Sequence, residues 1–317
     1  MHIFYKRVWI FLGLIFLLIL TLAFTLPLQS NVKETLRFST TYEALFRQLM
    51  YDKTWHKWWP GEVEVANQKL TFKQDEFRYT VDRVLLNAFE LKTSTSFLTI
   101  NSVLHLTHET KDQVTLTLAT SIPLPYNPID RIKALFFSSR LKASYKEVLV
   151  KLSNYYTSVE NLYDLDIKRS NVQVEYIATQ SHTFSHYPSA KEIYSLIDQI
   201  KSYIKNQGGT ETGFPMLHVS EISTRQFLTQ IGIPTDKQLP DSKAINSKRM
   251  LKGGFILTAE VTGSRQVISD AKRQMEFYIQ DQGKTSVAIS YESLVTNRVE
   301  QPDSNKWVTQ LYFPIIY

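Results

Sequence analysis

One block of this sequence occurs twice, and a duplication constrains the fold more than any local propensity. Gln199, Tyr203, Ile204, Gln207 and Gly208 return 75 positions on as Gln274, Tyr278, Ile279, Gln282 and Gly283. Farther along, Thr229-Gln230-Ile231-Gly232-Ile233-Pro234 returns after 80 positions as Thr309-Gln310-Leu311-Tyr312-Phe313-Pro314, the difference of five being a loop insertion. Each copy reads strand, helix, strand, strand. In the first, a strand at 172–179 leads to a helix that opens on a capping box of Ser189 and Glu192 and carries Ile193, Leu196, Ile197, Ile200, Tyr203 and Ile204 on one face. Gly208-Gly209 stops that helix, and strands follow at 214–220 and 225–233. The second copy gives a strand at 255–261, a helix at 264–282 ended by Gly283, and strands at 286–292 and 307–315. Two such units make an α+β domain with pseudo-twofold symmetry.

A duplicated strand-helix-strand-strand unit whose halves each end in a Thr-Gln-x-x-x-Pro strand resembles the gyrase-inhibitory-protein-like family, the effector-binding domain of bacterial transcription activators. The closing segment Lys306-Trp307-Val308-Thr309-Gln310-Leu311-Tyr312-Phe313-Pro314-Ile315 is similar to that family's terminal strand, and the resemblance covers residues 163–317. It implies a pseudo-twofold sheet with small aromatic or amphipathic molecules in the groove between the helices. By that analogy Tyr203, Tyr278, Trp307, Gln310 and Tyr312 stand near the pocket, with Glu260 and then Glu292 as acidic fallbacks. The rings serve either as ligand walls or as core. Relatives that take cationic drugs often carry a carboxylate where this chain has Gln310. An amide does not offset a buried cation, so a cationic ligand is not expected.

Residues 32–162 read as a separate α+β domain. A strand at 36–40 and a helix at 42–50 precede a short helical piece that ends in Trp55-His56-Lys57-Trp58-Trp59-Pro60-Gly61. Strands follow at 77–86, 96–105 and 113–122, the last alternating strictly. A long helix then begins with Asn127 as N-cap and Pro128 at its first position, and Leu141, Tyr145, Val148, Leu149, Leu152, Tyr155, Tyr156 and Val159 form its apolar stripe. This order and the aromatic-rich turn from Thr54 resemble the START-like helix-grip superfamily of polyketide cyclase and dehydrase relatives. The resemblance implies an apolar ligand held between sheet and long helix, although Trp58 and Trp59 are read as packing residues.

Residues 1–31 read as a membrane anchor. The stretch beginning at Val8 and ending at Leu28 has no charged residue, is about 30 Å long as a helix, and follows Lys6 and Arg7. It is too long for a signal-peptide core, so the expectation is a single-pass bacterial envelope protein with a cytoplasmic N-terminus and extracytoplasmic domains.

The formal charge of +6 is spread thinly, without the basic stripe that nucleic acid requires, and there is no cysteine. The stretch 30–36 is too short for a DNA-binding helix-turn-helix. His182 and His186 precede the helix, with no third ligand at metal spacing, and His105 and His108 fall on opposite sides of a strand, so no metal is expected. No phosphate loop or nucleophile elbow appears, and neither a cofactor nor a catalytic residue is assigned. The reading is a protein that senses or sequesters small hydrophobic or amphipathic molecules without catalysis. The alternatives are a hydrolase or cyclase of small lipophilic substrates, and a non-binding envelope scaffold.

Overall fold

The computed structural model describes Trp9, Phe11, residues 13–17, Thr21 and residues 28–316 except 67, 68, 97 and 287. The chain divides into two compact units, the first closing at Ser158 and the second running from Val159 to Tyr317.

The expected anchor is corrected. Among the described residues no helix is long and apolar enough to cross a membrane. A span needs roughly 20 consecutive apolar residues in one helix. The extracytoplasmic placement rested on that span and falls with it. The remainder of the Val8 to Leu28 reading lies outside the described residues.

In the first unit, β1 (Gln29–Ser39) is followed by α1 (Tyr42–Leu49) and a 3-10 turn (Asp52–Lys57). Six strands then follow: β2 (Val63–Ala66), β3 (Lys69–Gln74), β4 (Phe77–Val84), β5 (Ala88–Ser94), β6 (Thr99–Thr110) and β7 (Gln113–Pro123). The helix α2 (Pro128–Tyr156) closes the unit, with the Asn127 side chain accepting from the Ile129 N–H. The sheet is antiparallel in the order β1-β7-β6-β5-β4-β3-β2. Strict alternation puts Val114, Leu116 and Leu118 on its buried face, with their β1 partners Phe38, Leu36 and Glu34 in register.

α2 lies across that buried face, and its contacts are polar as well as apolar. The Tyr79 hydroxyl meets Ser144 Oγ at 2.7 Å, and the Tyr145 hydroxyl meets Ser102 Oγ at 2.5 Å, which in turn meets Thr93 Oγ1 at 2.7 Å. Burial pushes the Tyr145 phenol up to about 12, so these hydroxyls stay protonated and bonded. The rings of Trp55, Trp58, Trp59, Phe72, Phe77 and Tyr79 are all buried and pack on one another. Trp55 and Trp59 donate their indole N–H groups to the carbonyls of Leu49 and Lys73 at 2.9 and 2.8 Å. The aromatic-rich turn is therefore core.

In the second unit, α3 (Val159–Tyr163) precedes β8 (Lys168–Asn171), β9 (Tyr176–Phe184) and α4 (Ala190–Asn206). The chain continues through β10 (Met216–Ser223), β11 (Gln226–Thr235), β12 (Asn246–Arg249), β13 (Phe255–Thr262) and α5 (Arg265–Asp281). It ends with β14 (Thr285–Ser286), β15 (Tyr291–Leu294) and β16 (Val308–Ile316). The strand expected at 172–179 begins four residues later, as β9, and is preceded by an unforeseen short strand, β8, that pairs with β13.

The sheet order, β12-β9-β11-β10-β15-β16-β13-β8, displays the duplication directly. β12, β9, β11 and β10 form one half, and β8, β13, β16 and β15 form its mirror in order. The halves meet where Met216 and Leu217 pair with Ser293 and Glu292. Both helices end alike: Gly208 and Gly283 sit at φ +63 and +55, the left-handed region that glycine occupies without strain. The following N–H groups, of Gly209 and Lys284, return to Ile204 O and Ile279 O at 2.9 Å each.

The helix starts differ. Ser189 Oγ accepts from the Glu192 N–H while the Glu192 carboxylate accepts from the Ser189 N–H at 2.7 Å, which holds Glu192 down to about 2. Ser264 makes no such side-chain bond. We expect Ser189→Ala to cost about 1 kcal/mol in urea denaturation and Ser264→Ala less than half of that; equal costs would show that the box contributes nothing.

Candidate functional site

Which face of the second sheet is free follows from strand parity. Ala178, Leu217, Ile231, Ile233 and Leu294 pack with Ile193, Leu196, Ile197, Ile200 and Ile204 of α4 in one core. On the other half Leu257, Ala259, Val261, Leu311 and Phe313 are buried, as are Ile268, Ala271, Met275 and Ile279 of α5. The alternate residues of each strand therefore face away from both helices.

Cross-strand pairing sorts those residues into two matching sets. In the first half Thr179, Gly232 and Met216 stand abreast on β9, β11 and β10, with Ser181, Gln230 and His218 as the next row. In the second half the corresponding rows are Thr258, Tyr312 and Tyr291, then Glu260, Gln310 and Ser293. Partners directly opposite one another in antiparallel strands share a face. Gln230 thus mirrors Gln310, and Gly232 mirrors Tyr312.

Each half carries a hollow on this face. The smaller, about 290 Å³, is lined by Gln310, Tyr312, Ser293, Tyr291 and Thr258, together with Phe214 and Pro234 from the other half. The larger, about 720 Å³, is lined by Gln230, Gly232, His218, Thr179 and Ile177, together with Tyr291 and Pro314 from the other half. The difference has a visible cause. Tyr312 stacks on Tyr291 with ring centroids 4.9 Å apart and planes 13° apart, and the equivalent space beside Gly232 holds no ring. Four large apolar side chains left exposed in this unit, Leu251, Phe255, Ile289 and Ile316, line the larger hollow. Exposed apolar surface gathered round a concavity marks a binding site more often than scattered exposure does.

The polar groups are few. The Gln230 and Gln310 amides make no hydrogen bond among the described residues, so each is free to meet a ligand. His218 Nδ1–H donates to Ser290 O at 2.8 Å; burial, aided by Lys272, lowers its pKa, so the ring is neutral at pH 7. Among the described residues neither hollow is lined by an aspartate or glutamate.

The groove expected between the helices is neither of these two hollows; on the helix side a further hollow of about 810 Å³ opens on α4, lined by Tyr194, Gln199, Tyr203 and Val299 among others. Gln310 and Tyr312 do line a hollow, though the smaller one. Glu260 stands beside Gln310 in register and is exposed. Tyr203 packs against the α4 core and lines the hollow on that helix, with its hydroxyl on Pro240 O. Tyr278 packs edge-on to Tyr163 at 5.3 Å. Trp307 donates to Gln301 O at 2.8 Å beneath the Arg298 guanidinium. These three rings line neither hollow of the open sheet face. Glu292 is buried on the helix side, between Lys272 Nζ at 2.6 Å and Arg298 Nη2 at 2.8 Å, and has no access to the open face. His182 packs on Phe184, and His186 Nε2 lies 3.1 Å from Glu192. As site residues, Gln230, Gly232, His218 and the exposed apolar lining of Leu251, Phe255, Ile289 and Ile316 escaped the sequence reading. The aligned strands Thr229-Gln230-Ile231-Gly232 and Thr309-Gln310-Leu311-Tyr312 already carried the signal for the first two.

No protein-family model matches the chain, and no curated protein matches it. Solved structures similar to it include the EcmrR C-terminal domain, at 14% identity and a TM-score of 0.41, over 48% of this chain and 98% of that one. A hydrolase from Listeria innocua is similar at 12% identity and a TM-score of 0.37, over 48% and 92%. SAV2435 bound to tetraphenylphosphonium is similar at 13% identity and a TM-score of 0.31, over 48% and 94%.

Proposed function

We propose that the second unit is an effector-binding domain of the gyrase-inhibitory-protein-like kind, which holds a small apolar or amphipathic molecule in the larger hollow. The observation that carries this reading is a cavity of about 720 Å³ with apolar walls from both repeats and one unbonded amide, Gln230. That volume suits a drug-sized molecule, and a single amide with free hydrogen-bonding capacity orients it. The missing carboxylate argues against lipophilic cations, which need a countercharge when desolvated.

Binding without turnover is supported by the spacing of the polar groups. Ser181 and His218 face the hollow, but Gln230 stands between them on the intervening strand. Two strand spacings, about 9.6 Å, exceed the reach of a nucleophile and its base. For the first unit we infer a START-like helix grip from its order of elements, with aromatic side chains occupying the space between sheet and helix.

The test is a thermal-shift screen of the full chain against neutral lipophilic and aromatic compounds. A ligand at one hundred times its Kd adds about 2.7 kcal/mol to stability. Gln230→Leu should weaken hits that bear a hydrogen-bonding group by roughly five- to tenfold and leave purely apolar hits unchanged. A screen in which nothing raises the melting temperature refutes the reading.

A further inference from the structure

The two hollows differ in charge as well as in room. On β12, Lys248 stands opposite Ile177 of β9; at the mirror position on β8, Ser170 stands opposite Ile256 of β13. The open hollow is therefore the one that carries the lysine. Three side chains able to carry positive charge line it: His218, Lys248 and Arg249. His218 is neutral at pH 7, as argued above. Arg249 is engaged by Glu175 at 2.8 Å. Lys248 has no carboxylate partner among the described residues, and no acid lines the cavity with it.

We propose that the larger hollow selects amphipathic anions, with one carboxylate, sulfonate or phosphate head at Lys248 and an apolar body over Ile177, Gly232, Met216 and Tyr291. The proposal rests on the reading of this hollow as a ligand site and adds the sign of the ligand's charge. Its logic is that of a snorkelling side chain. The lysine stem lies along the apolar wall at the sheet edge while the ammonium stays at the water boundary. There it attracts an anionic head without either charge being fully desolvated. An anion seated in the smaller hollow meets Ser170 at that place instead, and Tyr312 occupies the room.

The experiment uses two dyes with one ring system, 1-anilinonaphthalene-8-sulfonate and the neutral N-phenyl-1-naphthylamine, titrated by fluorescence into the full chain. Wild type is expected to bind the sulfonate about fivefold more tightly than the neutral dye, a preference that shrinks as salt is raised. Lys248→Met should abolish that preference and Lys248→Glu should invert it, both with the neutral dye bound as before. Because Lys248 is exposed, neither variant threatens folding. Equal affinities for the two dyes in wild type, or a preference that survives Lys248→Glu, would overturn the charge assignment and leave the ligand site standing. If Gly232→Phe changes the binding of neither dye, the ligand-site reading itself is overturned.

Discussion

Gly232→Phe should close the larger hollow and weaken its ligands by at least about one hundredfold, roughly 2.7 kcal/mol, with no loss of folding stability. The first added carbon meets little resistance. A Cβ built at Gly232 lies 3.6 Å from Ile177 Cδ1, 3.6 Å from Thr179 Cγ2 and 3.8 Å from Met216 Cβ, all ordinary contacts. The remainder of the ring then enters the cavity, as Tyr312 enters its mirror. Exchanging glycine for an aromatic within a strand also favours the strand conformation, so the urea midpoint should hold or rise. Gly232→Ala serves as the control: it trims the cavity by one methyl and should cost less than about fivefold, in line with about 0.8 kcal/mol for one CH₂ of apolar contact. Fluorescence titration and urea melts on the same samples separate lost binding from lost structure. A Gly232→Phe variant that binds as tightly as wild type would mean that ligands sit elsewhere.

The duplication was legible because repeated residues mark what a fold needs twice. Gly208 and Gly283 end equivalent helices, Thr229 and Thr309 are both fully buried, and Ile204 and Ile279 anchor the last turns. The family resemblance, not the repetition, put Tyr203 and Tyr278 near a pocket. Tyr203 and Tyr278 recur because each finishes a helix and finds a local partner, Pro240 O for one and the Tyr163 ring for the other. The proposed binding site lies where the copies differ, at Gly232 against Tyr312 and at Lys248 against Ser170. The face it occupies was not legible, because alternation in a strand shows that two faces differ without showing which one the helices cover. The early strands β2, β3 and β5 were missed because they are short and rich in charge. Glu64, Lys73, Glu90 and Lys92 interrupt the apolar alternation, which pairing with neighbouring strands then supplies. The apolar run before Leu28 shows the converse: composition alone suggested a span that no described helix forms.

A second difference between the copies lies on the helix side, and it predicts the largest change in stability. Where the first copy packs Ile197 against Leu217 in one apolar core, the second has Lys272 and Glu292. Arg298 completes the group, bonding Glu292 at 2.8 Å and Thr309 Oγ1 at 2.9 Å. Burial alone pushes the Glu292 carboxyl up, but Lys272 and Arg298 outweigh it and hold the group below its ordinary 4.5. A carboxylate with a depressed folded pKa stabilises the fold above its unfolded pKa, and that contribution is lost as pH falls through the folded value. Wild type should therefore lose stability below about pH 4.5, and Glu292→Gln should remove that part of the slope. At pH 7 Glu292→Gln leaves two cations without their partner and should cost about 3–5 kcal/mol in urea denaturation. The first copy shows how to repair the loss. Lys272→Ile and Glu292→Leu restore the first copy's apolar pair and Arg298→Met removes the remaining charge; the triple change should recover most of the stability that the single change removes, because an ion group replaced whole leaves no orphaned charge. A triple variant no more stable than Glu292→Gln would mean that these charges do more than hold one another.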